Sequence, residues 1–155
     1  DSKDALVQQF DFMNGILEEV SAAHEAIMDI RSVRNQLNAY KSRIKDKEAM
    51  EAIVEEIDMI NKKMQSIEEN LYQTKNRSRQ DPLNFPIRLT NKLAHLNSLV
   101  GGSDFAPTDQ AVAVKEELSA AIQVELEAFK AIKATDIKAL NASIDAAKID
   151  AILVD

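Results

Sequence analysis

One run of helical patterning, longer than any other in the chain, decides what this sequence can fold into. From Leu6 the row continues through Phe10, Met13, Leu17, Val20, His24, Ile27, Ile30, Val33, Leu37, Tyr40 and Ile44, in steps of three and four residues. That spacing marks one face of an α-helix. A helix of nearly forty residues spans about 58 Å at 1.5 Å per residue, a length met in bundles and coiled coils. Ser2 and Asp4 are candidate caps at its start, and Gly15 is an interior weak point costing about 1 kcal/mol relative to Ala. The charged stretch Lys45, Asp46, Lys47 and Glu48 interrupts the row. A second stripe follows at Met50, Ile53, Val54, Ile57, Ile60, Met64, Ile67 and Leu71. Two long amphipathic segments joined by so short a link are expected to fold back as an antiparallel hairpin.

The rest of the chain continues in helical patterns separated by breakers. A polar stretch from Thr74 to Asn84, with Lys75, Arg77, Arg79 and Pro82, reads as a loop, and Pro86 suits the first turn of the helix that follows. Gly101-Gly102 closes that helix, and Thr108 is a good N-cap for the next. Val114, Leu118, Ile122, Leu126, Phe129 and Ile132 mark the fourth helix, and Thr135-Asp136 reads as a fresh N-cap for a short fifth with Ile137, Leu140 and Ile144. Residues 149–154 fit either a helix or an extended strap. The expectation is therefore one all-α domain over residues 1–155, an up-down four-helix bundle with a long N-terminal helical hairpin and a short terminal helix. Its helices fall at about 5–44, 47–73, 86–100, 109–133 and 136–147. Only 3 Gly, 3 Pro and 5% aromatics argue against an all-β sandwich or barrel.

Charge and composition exclude several classes of function. A net charge of −7 disfavours nonspecific binding to nucleic acid or to an anionic membrane. Most of it lies late in the chain, where residues 101–155 carry 10 acids and 5 bases. With no cysteine there is no disulfide, thiolate zinc site or cysteine nucleophile. No apolar run reaches the roughly 18 residues of a membrane span, and the N-terminus does not read as a signal peptide. The chain opens on Asp1 rather than Met, directly ahead of a helical pattern, so it is expected to be an excised piece or a mature fragment. Neither His24 nor His95 sits in a Glu-x-x-His motif, no Gly-rich phosphate cradle is present, and no metal or cofactor is expected.

The residues that invite a chemical reading are few. His24 stands on the apolar stripe between Val20 and Ile27, which reads as a hydrogen-bonded core histidine more readily than as a general base or a pH sensor. Arg31 and Arg34 project from one side of the first helix. If Arg34 points inward it must be paired, with Asp58 or Glu55 of the second helix or with carbonyls around Asp81 to Phe85. A structural network is favoured there over a ligand clamp. Met50, Met59 and Met64 read as core filling, and basic Lys75 to Arg79 as a solvated connection.

The loop that follows is the most specific part of the sequence. Gln80-Asp81-Pro82-Leu83-Asn84-Phe85-Pro86-Ile87-Arg88-Leu89, then Asn91-Lys92-Leu93, resembles the C-terminal helical region of large secreted bacterial proteins with sortilin-type β-propellers, the BNR/Asp-box repeat or glycosyl-hydrolase-like proteins. His24-Glu25-Ala26-Ile27, Ile30-Arg31, Val33-Arg34 and Gln36-Leu37 fit the same pattern, so the resemblance covers roughly residues 10–145. Thr90 stands where the pattern has Asn, and Arg79 where it has a small residue. The resemblance implies an extracytoplasmic location and attachment to an upstream β-propeller. It implies no catalytic residue here, since no Asp-box occurs in this chain. The two prolines and Asn84 would fix a rigid connection, letting Phe85 and Leu83 cap the bundle end while Asp81 or loop carbonyls satisfy Arg31 or Arg34, in a structural or possible binding cluster that includes His24 and Arg88.

These readings lead to a noncatalytic helical accessory or interaction domain, whose partner is its own upstream propeller or another protein. Such a domain should expose an apolar patch, on the N-terminal half of the first helix. The alternatives are a substrate-binding part of a glycoside-hydrolase-like enzyme, which needs a polar pocket such as His95 beside Arg88, and an oligomerisation hairpin.

Overall fold

The computed structural model describes residues 2–72, 88–102 and 105–154, and these form the expected all-α bundle of long helices packed against one another. Helix α1 spans Ser2–Ile44, a 3-10 turn covers Glu48–Met50, and α2 spans Glu51–Leu71. Helix α3 is Leu89–Gly101 and α4 is Asp109–Ala131, followed by a π-helical segment, Ile132–Ile137, and α5, Lys138–Val154. The expected start of the third helix at Pro86 lies outside the described residues. Among the described residues no helix is long and apolar enough to cross a membrane.

A row of residues seven apart organises the core. On α1, Gln9, Ile16, Ala23, Ile30, Leu37 and Ile44 are all buried, and Ile27 joins them one turn off the row. A strict seven-residue repeat slips by about 20° per heptad on a straight helix, so such a row favours a left-handed wind of the helices that share it. Helix α2 answers with Ile53, Ile57, Ile60, Met64, Ile67 and Leu71, alternating steps of four and three, every one buried. Lys41 donates to Asp58 at 2.6 Å, Asn61 to Asn38 at 2.9 Å and Arg31 to Glu68 at 2.9 Å. Those pairs place α2 antiparallel to α1 as the short link requires.

Helices α2 and α3 stand nearly end to end along α1, so the bundle has three legs. Thr90, 2% exposed in the first turn of α3, donates its hydroxyl to the Leu71 carbonyl at 2.8 Å. That carbonyl closes α2 and would otherwise be an unpaired acceptor at a buried helix end. Further along, the Gln9 amide donates to the Val100 carbonyl at 2.7 Å, tying the end of α3 to the start of α1. A Cβ at Gly101 would come within 2.9 Å of the methyl at the flexible end of Met13, which marks where α1 and α3 meet. Helices α2 and α3 together thus run antiparallel to the 43 residues of α1.

The third leg is continuous. Thr108 caps α4 as expected, accepting from the Ala111 N–H at 3.0 Å. Thr135 and Asp136 lie inside the π segment, where the chain passes from α4 into α5 without a new cap. The apolar row explains the segment. It steps by three or four from Leu118 to Ile132 and from Ile137 to Ala147, but by five between Ile132 and Ile137. Five residues of regular helix would carry Ile137 about 140° from Ile132, out of the core. The wider π turn absorbs the extra residue and keeps Ile132 and Leu140 buried, with Ile137 and Ile144 half-buried against the core.

If the π turn exists only to absorb one residue, removing the exposed Ala134 should convert Ile132–Ile137 to regular helix at little cost. We expect that deletion to shift unfolding free energy by less than about 1 kcal/mol, and an added Ala beside it to cost about 2 kcal/mol or more by turning Leu140 out of the core. Urea titration of the two variants followed by circular dichroism reads the difference.

Candidate functional site

The residues singled out in the sequence gather only in part. His24 is exposed, its ring edge-on to Tyr72 with centroids 6.0 Å apart. The expectation of a core histidine fails because Ala23, wholly buried, holds the inward position and His24 is turned about 100° from it. Arg31 pairs with Glu68 at 2.9 Å, its own side chain 52% exposed and the carboxylate 10%. His24, Ile27, Met28, Arg31 and Tyr72 line a shallow hollow at this corner. Arg34 lies one turn along, half-buried, and its Nε is shielded without a hydrogen-bond partner. Neither proposed acid reaches it, since Asp58 takes Lys41. The register between the two helices shows why. The numbers paired across α1 and α2 add to 99 in Lys41–Asp58, Asn38–Asn61 and Arg31–Glu68. Residue 34 is therefore level with Gln65, two turns from Asp58. Arg88 is exposed ahead of α3 and makes no side-chain cap bond, while Asp81 and Asn84 lie outside the described residues.

A second concavity runs beside the π segment between α2 and α4. It is an open groove of about 950 Å³ lined by Met59, Lys62, Ser66, Ile67, Ala128 and Thr135. Lys63 spans it to Asp136 at 2.8 Å and Asn70 to Glu125 at 3.0 Å. One ion pair, Lys63–Asp136, and one amide–carboxylate hydrogen bond, Asn70–Glu125, thus cross the groove. Among the described residues no group of three His, Asp or Glu side chains is placed to hold a metal ion. His95, named with Arg88 as a possible polar pair, is exposed on α3.

The third feature is apolar. Leu6 is 54% exposed, Phe10 65% and Leu17 53%, with Val7 and Met28 exposed beside them. Leu6, Phe10 and Leu17 belong to the very row that the sequence marks as the stripe of the first helix. In its N-terminal half α1 carries two apolar rows. The inner row, with Gln9, Ile16 and Ala23, faces the bundle. The outer row, Leu6, Phe10, Met13, Leu17, Val20 and His24, turns toward solvent, with only Met13 and Val20 half-buried. Helix α3 borders this row at Met13, and α4 lies along another side of α1. Met13 meets Gly101, Lys115 lies over the Phe12 ring at 5.7 Å, and Ser119 donates to Glu19. A doubled apolar row on one helix is a signal that the sequence alone carries.

Compared with known proteins, the chain matches no family model, no curated protein and no solved structure.

The Arg31–Glu68 pair can be tested as structure. Removing the arginine leaves a nearly buried carboxylate without its partner, whereas removing the acid frees a guanidinium that already reaches water. We expect Arg31→Met to destabilise the fold by about 1–3 kcal/mol and Glu68→Met by clearly less. Equal losses in chemical denaturation would contradict the pairing.

Proposed function

We propose that this chain is a noncatalytic helical interaction domain that docks a protein partner on the outer face of α1. One observation carries the reading: Leu6, Phe10 and Leu17 occupy a single helix face and are each more than half exposed. Covering such side chains gains about 1.5–3 kcal/mol apiece when burial is complete. A contiguous apolar face of this kind on a soluble bundle marks an interaction site. The residues that could do chemistry support the same reading, because Arg31, Lys63 and Lys41 are engaged in pairs with Glu68, Asp136 and Asp58.

The hairpin of α1 and α2 is less suited to oligomerisation, since Ile53, Ile57, Ile60 and Met64 keep its seam inside the bundle. The loop motif at Gln80 to Leu89 adds context by resemblance to sortilin-type propeller proteins. On that resemblance the domain works outside the cytoplasm, and an upstream β-propeller is one source of the partner.

Site-specific photocrosslinking in the intact cell tests the surface. With a benzophenone amino acid at Phe10 we expect an adduct to one discrete polypeptide, or to another segment of the same protein. The same group at Glu55, exposed on α2, should give none. Equal crosslinking from both positions, or none from Phe10, would overturn the proposal.

A further inference from the structure

We infer that the outer face of α1 between Leu6 and Met28 receives a basic amphipathic helix, which packs along it as a fourth leg. This rests on the interaction-domain reading and names the chemistry of the partner. The shape of the face comes first. Leu6, Phe10, Met13, Leu17, Val20 and His24 follow one another by four, three, four, three and four residues. The same alternation on α2, from Ile53 to Leu71, forms the seam that α2 buries inside the bundle. Such spacing offers knobs and holes to a second helix, led by the exposed Leu6, Phe10 and Leu17, with the half-buried Met13 and Val20 at the edge toward the bundle. A shallow hollow lined by Asn14, Leu17, Glu18, Ser21 and Glu25 opens beside the middle of the row, where the small Ser21 and Ala22 side chains leave room for an incoming side chain.

Charge selects the kind of helix. The row is bordered by the uncharged Val7, Asn14, Ser21 and Met28. Beyond that border run Asp4, Asp11, Glu18 and Glu25, seven residues apart and all exposed. The acidic rail therefore runs parallel to the apolar row for three heptads, one position outside the uncharged border, and lends that side of the face a negative field. Between Ser2 and Ile30 there are six carboxylates and one lysine. A partner with Lys or Arg beside its apolar stripe is attracted along the entire contact. A second copy of this chain meets the opposite condition, since each copy carries a net charge of −7 and an antiparallel crossing would set rail against rail. Anionic lipid is repelled by the same carboxylates.

The test uses the 155-residue chain with three synthetic peptides of about four heptads. One has Leu at the seam positions and Lys on the flanks, the second has the same seam with Glu flanks, and the third is a scramble of the first. Binding is read by fluorescence anisotropy, and the site by amide shifts in α1. We expect the Lys-flanked peptide alone to bind, with shifts confined to the outer row and the acidic rail. The double variant Phe10→Ser and Leu17→Ser, folded because both side chains are exposed, should bind about 30-fold more weakly. Reversing Asp11, Glu18 and Glu25 to Lys should move the preference to the Glu-flanked peptide. Equal binding of the scramble would reduce the effect to bulk charge and overturn the inference. So would self-association of the wild type through this face, adsorption to lipid vesicles that the double variant abolishes, or failure of all three peptides. An adduct from Phe10 in the cell together with failure of the peptides would remove the helical partner and leave the interaction-domain reading standing. Loss of both would remove the two together.

Discussion

The architecture depends on a single inward row of α1, the heptad-spaced Gln9, Ile16, Ala23, Ile30, Leu37 and Ile44. Each of the other legs is placed by contact with α1, along this spine or beside it. Helix α2 inserts its isoleucines beside Ile30, Leu37 and Ile44, α3 closes on Gln9 and Met13, and α4 lies along Phe12 and Glu19. Because α1 is about 65 Å long at 1.5 Å per residue, no one short helix can cover it. Two helices joined through the Thr90 hydroxyl and the Leu71 carbonyl cover it in sequence. The third leg must also hold its apolar face inward past the five-residue step, and the π turn meets that demand at the cost of one irregular turn.

Three legs leave each helix an outer face, and that of α2 is mostly polar. Helix α2 shows Glu55, Asp58 and Lys62 to solvent, with Met59 as an isolated exposed side chain. The N-terminal half of α1 differs because its outer face repeats the spacing of an inner one. Leaving Phe10 and Leu17 in water forgoes burial free energy that the fold does not recover elsewhere. Their position beside a regular acidic row ties that exposure to recognition instead of to the stability of the isolated bundle.

Much of the helical framework can be read from the sequence, and the failures have specific causes. The α2 stripe, the hairpin, the Thr108 cap and the end of α3 at the glycine pair all follow from local signals that the structure leaves in force. The inward face of α1 does not, because its buried row includes Gln9 and Ala23 while larger apolar side chains lie on the outer one. Ranking by size therefore draws the stripe through Phe10, Leu17 and His24. The partner of Arg31 also escapes local reading, since it depends on the register of two antiparallel helices over many turns. The continuity of α4 into α5 escapes for a related reason. Thr135-Asp136 has the local chemistry of a cap, yet the Ala-rich sequence around it favours helix, and Asp136 is engaged by Lys63 from α2.

The orientation of α1 is the point on which the bundle and its proposed surface both turn. The chain has no cysteine, so single thiols report it without background. We would measure labelling rates of Ala23→Cys and Leu17→Cys under native conditions, each against the same variant in denaturant. In the Leu17→Cys variant the thiol of the folded chain should react nearly as fast as that of the unfolded one. In the Ala23→Cys variant it should be slowed by orders of magnitude, because it reacts only when the bundle opens. Fast reaction at position 23 with protection at position 17 would mean that α1 is turned the other way, and neither the core nor the docking face described above would survive it.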